Sequence, residues 1–358
     1  MSTAGLRGCE ARVDRWEFPV DSPQEWEGKG RGGRWWPMMA VAPLLAFVVE
    51  ATPPTPGSSR SEDSESTAES GAANDSPDLR EPAPGLVMLP NGLPTAAQPR
   101  VERWLGAFET TRRHEFEELM ARRGVYSGLI EEKLRRRGMP SELLYIPMIE
   151  SGLSTVAVSH VSAVGLWQFM VPTAQQYGLR VDPWVDERRD PEAATDAALD
   201  YLSWLHRRFG GSWILAAAAY NAGPGRLERV LNRHAEGRLG DDGVYWEILE
   251  YLPRETREYV PKMIAVTRLA EQLDEQGFES GSVEPYRYES VFVPGGTQLS
   301  YVARELGLER GAVKALNPHL VLGVTPPDEL YPLRVPVGQG MRVVSLLAER
   351  PSRGLAAG

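Results

Sequence analysis

A single cysteine, Cys9, rules out a disulfide within the chain and every zinc site built on several cysteines. The five histidines (His114, His160, His206, His234 and His319) are scattered, with no His-Glu-x-x-His pair, so each reads as a surface or capping residue and no metal is expected. No Gly-x-x-x-x-Gly-Lys phosphate loop occurs, and nothing in the chain calls for a cofactor. Runs of Lys and Arg interleaved with aromatics are also missing, and the net charge is −10, so nucleic acid is not an expected partner. The apolar block Trp35 to Val49 falls short of the roughly 20 residues that cross a bilayer comfortably, and Pro37 and Pro43 interrupt it.

The same block follows Lys29, Arg31 and Arg34 and is followed by Glu50 and the small residue Ala51, the order of positive flank, apolar core and cleavage-like end found in export leaders. Residues 1–51 are therefore expected to be an export leader or signal segment. Membrane association through it is a further expectation, and an uncleaved anchor or a buried apolar segment are the alternatives. Leu6-Arg7-Gly8-Cys9 faintly resembles a lipoprotein processing site, but no apolar stretch precedes it, and an inert cysteine is the simpler reading. Residues 52–98 are rich in Pro, Ser, Gly, Ala and acids. Their seven acidic residues stand against only Arg60 and Arg80, so half of the net charge lies in this one tract. Such a segment buries too little apolar surface to offset its ordering entropy and is expected to be a disordered linker.

From Val101 the pattern turns helical. Val101, Leu105 and Phe108, then Phe116, Leu119 and Met120, then Tyr126, Ile130 and Leu134 recur at helical spacing. Pro140-Ser141 opens a further helix. Asp190-Pro191-Glu192 reads as a helix start with Asp190 as cap, and that helix is expected to stop at Gly210-Gly211. Trp213 starts the next, and Tyr259 to Gln276 reads as the last long one. Residues 99–280 are thus expected to form an all-helical domain and the chain to be mainly α.

After Gly281 the residues alternate instead. Tyr288 to Val293 reads as a strand, Pro294-Gly295-Gly296 as a turn, Leu299 to Leu306 and Gly311 to Leu316 as helices, and Tyr331 to Pro336 as a closing strand. This order, with Asn317-Pro318 inside it, resembles a LysM module, a small α+β glycan-binding fold, over residues 284–345. The usual Gly-Asp-Thr-Leu turn of such modules appears as Gly295-Gly296-Thr297-Gln298-Leu299, without the aspartate.

The chemistry concentrates between Glu142 and Gly225. Glu150-Ser151 ends the apolar run Leu143 to Ile149, surroundings that desolvate a carboxyl and raise its pKa above the usual value of about 4.3. A carboxyl still protonated near neutral pH is what the leaving oxygen of a glycosidic bond requires. Then follow Gly165-Leu166-Trp167-Gln168-Phe169-Met170 and Tyr220-Asn221-Ala222-Gly223. Gly165 marks a place where backbone comes close to a ligand. Gln168 offers an amide to a neutral polyhydroxylated one, and Met170 a soft apolar wall. Most glycosidases pair two carboxylates, yet no second acid is placed like Glu150. Asp182, Asp186 and Asp190 fall in a polar connection where turn and capping roles suffice.

In order and spacing these segments resemble the Glu-Ser, Gly-Leu-x-Gln and Ala-Tyr-Asn-x-Gly segments of bacterial soluble-lytic-transglycosylase domains. Trp167 and Phe169-Met170 resemble the branch typified by membrane-bound lytic murein transglycosylase D. The resemblance spans roughly Val101 to Gln276 and implies a lysozyme-like helical catalytic domain acting on peptidoglycan glycan strands in the periplasm or cell envelope. It implies Glu150 as the catalytic acid and then base, with the substrate's own acetamido group as the second participant and a 1,6-anhydro sugar as product. It further implies substrate-binding roles for Ser151, Gln168, Met170, Tyr220 and Asn221. In the segment Leu252 to Pro261, similar to the one before the last helix of these domains, it implies them for Glu255 and Tyr259. Val164 stands where a small residue is expected. A hydrolase resembling goose-type lysozyme and a non-catalytic glycan-binding scaffold remain as rival readings.

Overall fold

The structure, a computed structural model, describes residues 98–276 and 283–348. The expected leader and all of the expected linker but Gln98 lie outside the described residues. Nine α-helices fill 98–276: α1 (Pro99–Glu109), α2 (Arg113–Arg136), α3 (Tyr145–Ser151), α4 (Val171–Gln176), α5 (Pro191–Arg208), α6 (Trp213–Ala222), α7 (Pro224–His234), α8 (Gly243–Glu247) and α9 (Arg254–Glu275). The mainly helical class read from the sequence holds for these residues.

The centre of this part is α6. It is apolar all round and buried from Trp213 to Ala219, the pattern of a helix enclosed on every side. Its run Ala216 to Ala219 lets α5, α7 and α9 come close. Ser212 caps it by accepting the Leu215 N–H at 3.0 Å. Asp190 caps α5 as the sequence suggests, its carboxylate accepting from Glu192 and Ala193 N–H. Two boundaries differ from expectation. The helix expected near Pro140 begins as a 3₁₀ turn, Ser141–Leu144, before α3. The last long helix starts at Arg254, five residues early, and runs through Pro261. That proline removes one ladder donor, but Tyr259, Val260, Met263 and Ile264 are buried around it and hold the helix together.

Residues 283–348 hold the antiparallel pair β1 (Glu289–Val293) and β2 (Tyr331–Val335), with Val291 opposite Leu333. Between them lie α10 (Leu299–Glu305) and α11 (Ala312–Leu316), in the order expected. A further helix, α12 (Gly340–Ala348), was not expected. It packs against β1, and Glu289 on β1 accepts the N–H groups of Gly338 and Gly340. The fully buried Asn317 joins α11 to β2: its amide donates to the Val313 and Arg334 carbonyls and accepts the Arg334 N–H. Val293, Leu299, Val302, Val313, Leu320, Leu333 and Val335 form a core of their own.

One member of that core comes from the helical part: Val185, fully buried, bridges to Leu320. Arg334 on β2 pairs with Asp190 at 2.8 Å, and the Tyr288 hydroxyl donates to Glu192 at 2.7 Å. Asp190 therefore caps α5 and holds the βααβ unit at once.

Candidate active site

Glu150 sits in the last turn of α3, which closes at Gly152 in the left-handed conformation with φ of 60°. The apolar run ahead of it is buried from Leu143 to Ile149, and Glu150 itself lies at the margin of that core. Burial pushes its carboxyl up to about 7. The Tyr259 hydroxyl donates to its Oε1 at 2.7 Å and pulls in the opposite direction, as does Lys262, while Glu255 adds to the rise. The carboxyl therefore keeps its proton to much higher pH than an ordinary carboxylate, as a group that must give one up near neutrality requires. Tyr259, buried on α9, has its own pKa pushed well up by burial and by the Glu150 charge. It stays a neutral hydroxyl donor.

The glycine-led segment lies beside α3. Gly165 has φ of 84°, and a Cβ there would stand 1.8 Å from the Arg188 carbonyl oxygen, so no other residue fits. The close backbone approach expected at Gly165 is made to Arg188. Val164 and Phe169 exchange N–H···O bonds of 3.1 Å, forming a tight turn, with Gln168 at φ of 49°. The carbonyls along this turn are taken up by side chains, three of them from outside it. Gly165 O accepts from the Gln168 amide at 2.8 Å, Leu166 O from Ser151 at 2.8 Å, Trp167 O from Tyr220 at 2.7 Å, and Phe169 O from Arg188 at 3.2 Å. The Trp167 indole is fully buried and donates to Thr195 on α5 at 2.9 Å.

The residues singled out in the sequence fall into four sets, with Tyr220 belonging to two. Glu150, Tyr259 and Tyr220 share one neighbourhood, with the Glu150 charge contributing to the raised Tyr220 pKa after burial. Ser151 and Tyr220 spend their hydroxyl protons on backbone carbonyls, and Gln168 spends an amide hydrogen in the same way, so these three shape the turn directly. Asn221 and Glu255 bond each other at 3.3 Å, and Asn221 also accepts from Thr256 at 2.8 Å. Met170 is exposed at the start of α4, and Val156, Val158 and Val161 are exposed nearby in sequence. Val158 bridges to Val164, so Val158 and Met170 give the turn an apolar rim.

Two groups escaped the sequence reading. Lys262 lies one turn along α9 from Tyr259. Its ammonium is 3.6 Å from Glu115 and 5.4 Å from the Trp104 ring centre, and burial holds its pKa below the usual lysine value. The signal was available: a lysine at i+3 from Tyr259 and i+7 from Glu255, on the face of α9 that carries both. Arg188 is buried against Asp186 and grips the turn. In the sequence it is one of two adjacent arginines, Arg188 and Arg189, and nothing local separates them. No cluster of three or more His, Cys, Asp or Glu able to hold a metal ion occurs among the described residues.

Residues 128–238 match the family model described as Transglycosylase SLT domain. Membrane-bound lytic murein transglycosylase D of Escherichia coli (strain K12) is 32% identical over 194 residues, covering 54% of this chain and 42% of that protein. A putative tributyltin chloride resistance protein of Alteromonas sp. (strain M-1) is 39% identical over 112 residues, 31% of this chain and 54% of that one. Among solved structures, the 70-kDa soluble lytic transglycosylase of Escherichia coli shares 28% identity, with a TM-score of 0.36 over 43% of this chain and 25% of that chain. This chain spans about half the length of the curated relatives it matches, or less. Residues 128–238 are thus similar to the transglycosylase SLT domain, and the chain shares sequence similarity with membrane-bound lytic murein transglycosylase D.

Proposed function

We propose that this protein is a peptidoglycan lytic transglycosylase that cleaves the β-1,4 bond between N-acetylmuramic acid and N-acetylglucosamine and leaves a 1,6-anhydro-N-acetylmuramic acid end. The observation that carries the proposal is one carboxyl, Glu150, raised to about 7 and oriented by the Tyr259 hydroxyl. Glu255, the other acid of the expected site, is exposed and bonded to Asn221, so it is not placed as a second general acid or base.

The protonated Glu150 gives its proton to the leaving glycosidic oxygen as the bond to C1 breaks. The 2-acetamido oxygen of the muramic acid attacks C1 and closes a ring that carries the positive charge. Glu150, now a carboxylate held by Tyr259, takes the proton of that sugar's 6-hydroxyl, and O6 displaces the acetamido oxygen at C1. Every proton is accounted for by one residue that acts in turn as acid and base, and no water is consumed. A pKa near the working pH serves both steps, since neither protonation state is far from reach. The apolar rim of Val158 and Met170 suits an N-acetyl methyl and a sugar face.

The βααβ unit, read as a degenerate LysM-like module, would hold glycan as a second contact. Export of the chain to the periplasm or cell envelope by residues 1–51 completes the reading. No helix among the described residues is long and apolar enough to cross a membrane. Mass spectrometry of digested peptidoglycan tests the activity directly: the anhydro product is lighter by one water and resists borohydride reduction. Mainly reducible ends would instead indicate a lysozyme-like muramidase, and no cleavage would indicate a glycan-binding scaffold.

A further inference from the structure

We propose that Arg188 is a positioning residue for the Gln168 turn and that the βααβ unit holds Arg188 in place, so the unit braces the cleft as well as offering a second surface. The proposal rests on the reading of this cleft as a glycan site.

The brace can be followed bond by bond. Asp182 accepts the N–H groups of Trp184 and Val185, each at 2.8 Å, and folds the 180–190 loop into a tight turn. That turn places Val185 in the core of the βααβ unit beside Leu320. The next residue, Asp186, donates its N–H to the His319 carbonyl at 2.9 Å. Its buried carboxylate takes the Arg188 guanidinium at two points, 2.8 and 2.9 Å. The remaining arm of Arg188 donates to the Ser162 and Phe169 carbonyls, both at 3.2 Å. These carbonyls flank the turn that carries Gln168 and whose Leu166 carbonyl is tied to Ser151, the neighbour of Glu150.

A planar guanidinium suits this task because its donors point in fixed, divergent directions: two to one carboxylate, one to a pair of carbonyls. Lysine, with one rotating ammonium, cannot serve both sides. A buried ion pair adds little net stability over apolar packing, so an Asp186–Arg188 pair fits better with fixing a geometry than with holding the fold together.

The test uses the full chain with Arg188→Lys, Leu320→Ala and their combination. Hydrogen exchange, without substrate, reads the Val164 and Phe169 amides that close the turn. Cleavage of soluble glycan strands is followed in parallel, at matched folded fraction by near-ultraviolet circular dichroism. Both single variants are expected to lose at least tenfold of the protection at these two amides. They are also expected to lose at least tenfold in kcat, with KM changed less than threefold. The double variant should be no worse than Arg188→Lys alone, because both act through one chain of contacts. A purely structural role would lower the folded fraction and leave kcat per folded molecule unchanged. Protection and kcat within twofold of wild type in Arg188→Lys would overturn the role of Arg188. An unaffected Leu320→Ala beside an impaired Arg188→Lys would overturn the brace. A wild-type protein that cleaves no glycan would sink the catalytic reading, and the exchange comparison would still decide the brace.

Discussion

Replacing Tyr259 with phenylalanine removes one hydroxyl and little else, and its effect on the pH profile follows from the geometry. The hydroxyl donates to Glu150 at 2.7 Å, and a hydrogen bond to the charged form lowers a carboxyl's pKa. Such a bond to an ion is worth about 1.5–3 kcal/mol. At about 1.36 kcal/mol per pKa unit, its loss moves the Glu150 carboxyl upward from about 7 by roughly one to two pH units. The acid step needs the protonated form, so the alkaline limb of kcat/KM should move up by the same interval. The carboxylate that must later act as base loses the Tyr259 hydroxyl that holds it, so the plateau rate should fall by about tenfold or more, in line with the same 1.5–3 kcal/mol. The assay is release of anhydro-ended fragments from soluble glycan strands, measured between pH 5 and 10. An alkaline limb that stays in place, or moves down, would refute the argument that Tyr259 sets the proton affinity of Glu150.

Glu150→Gln should abolish cleavage, with residual activity within tenfold of wild type pointing to another acid. The same variant should be more stable than wild type at high pH. The folded pKa of about 7 exceeds the usual carboxyl value, so the native state binds the proton more tightly than the unfolded chain and wild-type stability falls as pH rises through that window. The expected gain is up to about 3 kcal/mol above pH 7 and near zero at pH 4, read as melting temperature at both pH values. Gly165→Ala should cost more than about 2 kcal/mol, from a left-handed φ plus a Cβ 1.8 Å from the Arg188 carbonyl, and thermal unfolding checks it. Arg334→Met should cost about 3 kcal/mol by leaving Asp190 buried without its guanidinium; a melting temperature equal to wild type would show that its capped N–H groups suffice.

The sequence is a good guide where chemistry and period coincide. Glu150 at the end of an apolar run, Asp190 ahead of a proline, and the strand–helix–helix–strand order after residue 283 could all be read without coordinates. It is a poor guide to which way a polar group points. Ser151, Gln168 and Tyr220 sit beside the expected site, yet their hydrogens go to backbone carbonyls, which carry no residue signature. Lys262 and Arg188 were hidden for a related reason: each gains its meaning from a neighbour far along the chain, Glu115 and the Phe169 carbonyl respectively. The helix α12 was passed over because its apolar residues follow a strand that already closes the pattern, so nothing marked a further element.

The four carbonyls of the 165–169 turn that are held by side chains have a consequence for how this protein tolerates change. A carbonyl oxygen is the same whatever residue bears it, so the anchoring of Leu166 and Phe169 does not depend on their own side chains beyond the space each fills, whereas Trp167 is held through its indole as well. Three of the anchors lie outside the turn: Ser151 on α3, Tyr220 on α6 and Arg188 ahead of α5. Mutational fragility is therefore displaced from the segment to its distant holders. A substitution scan should find apolar exchanges at Leu166 and Phe169 milder than the removal of a single oxygen or nitrogen from Ser151, Tyr220 or Arg188. Drift along this chain is thus freer inside the turn than at the points that grip it.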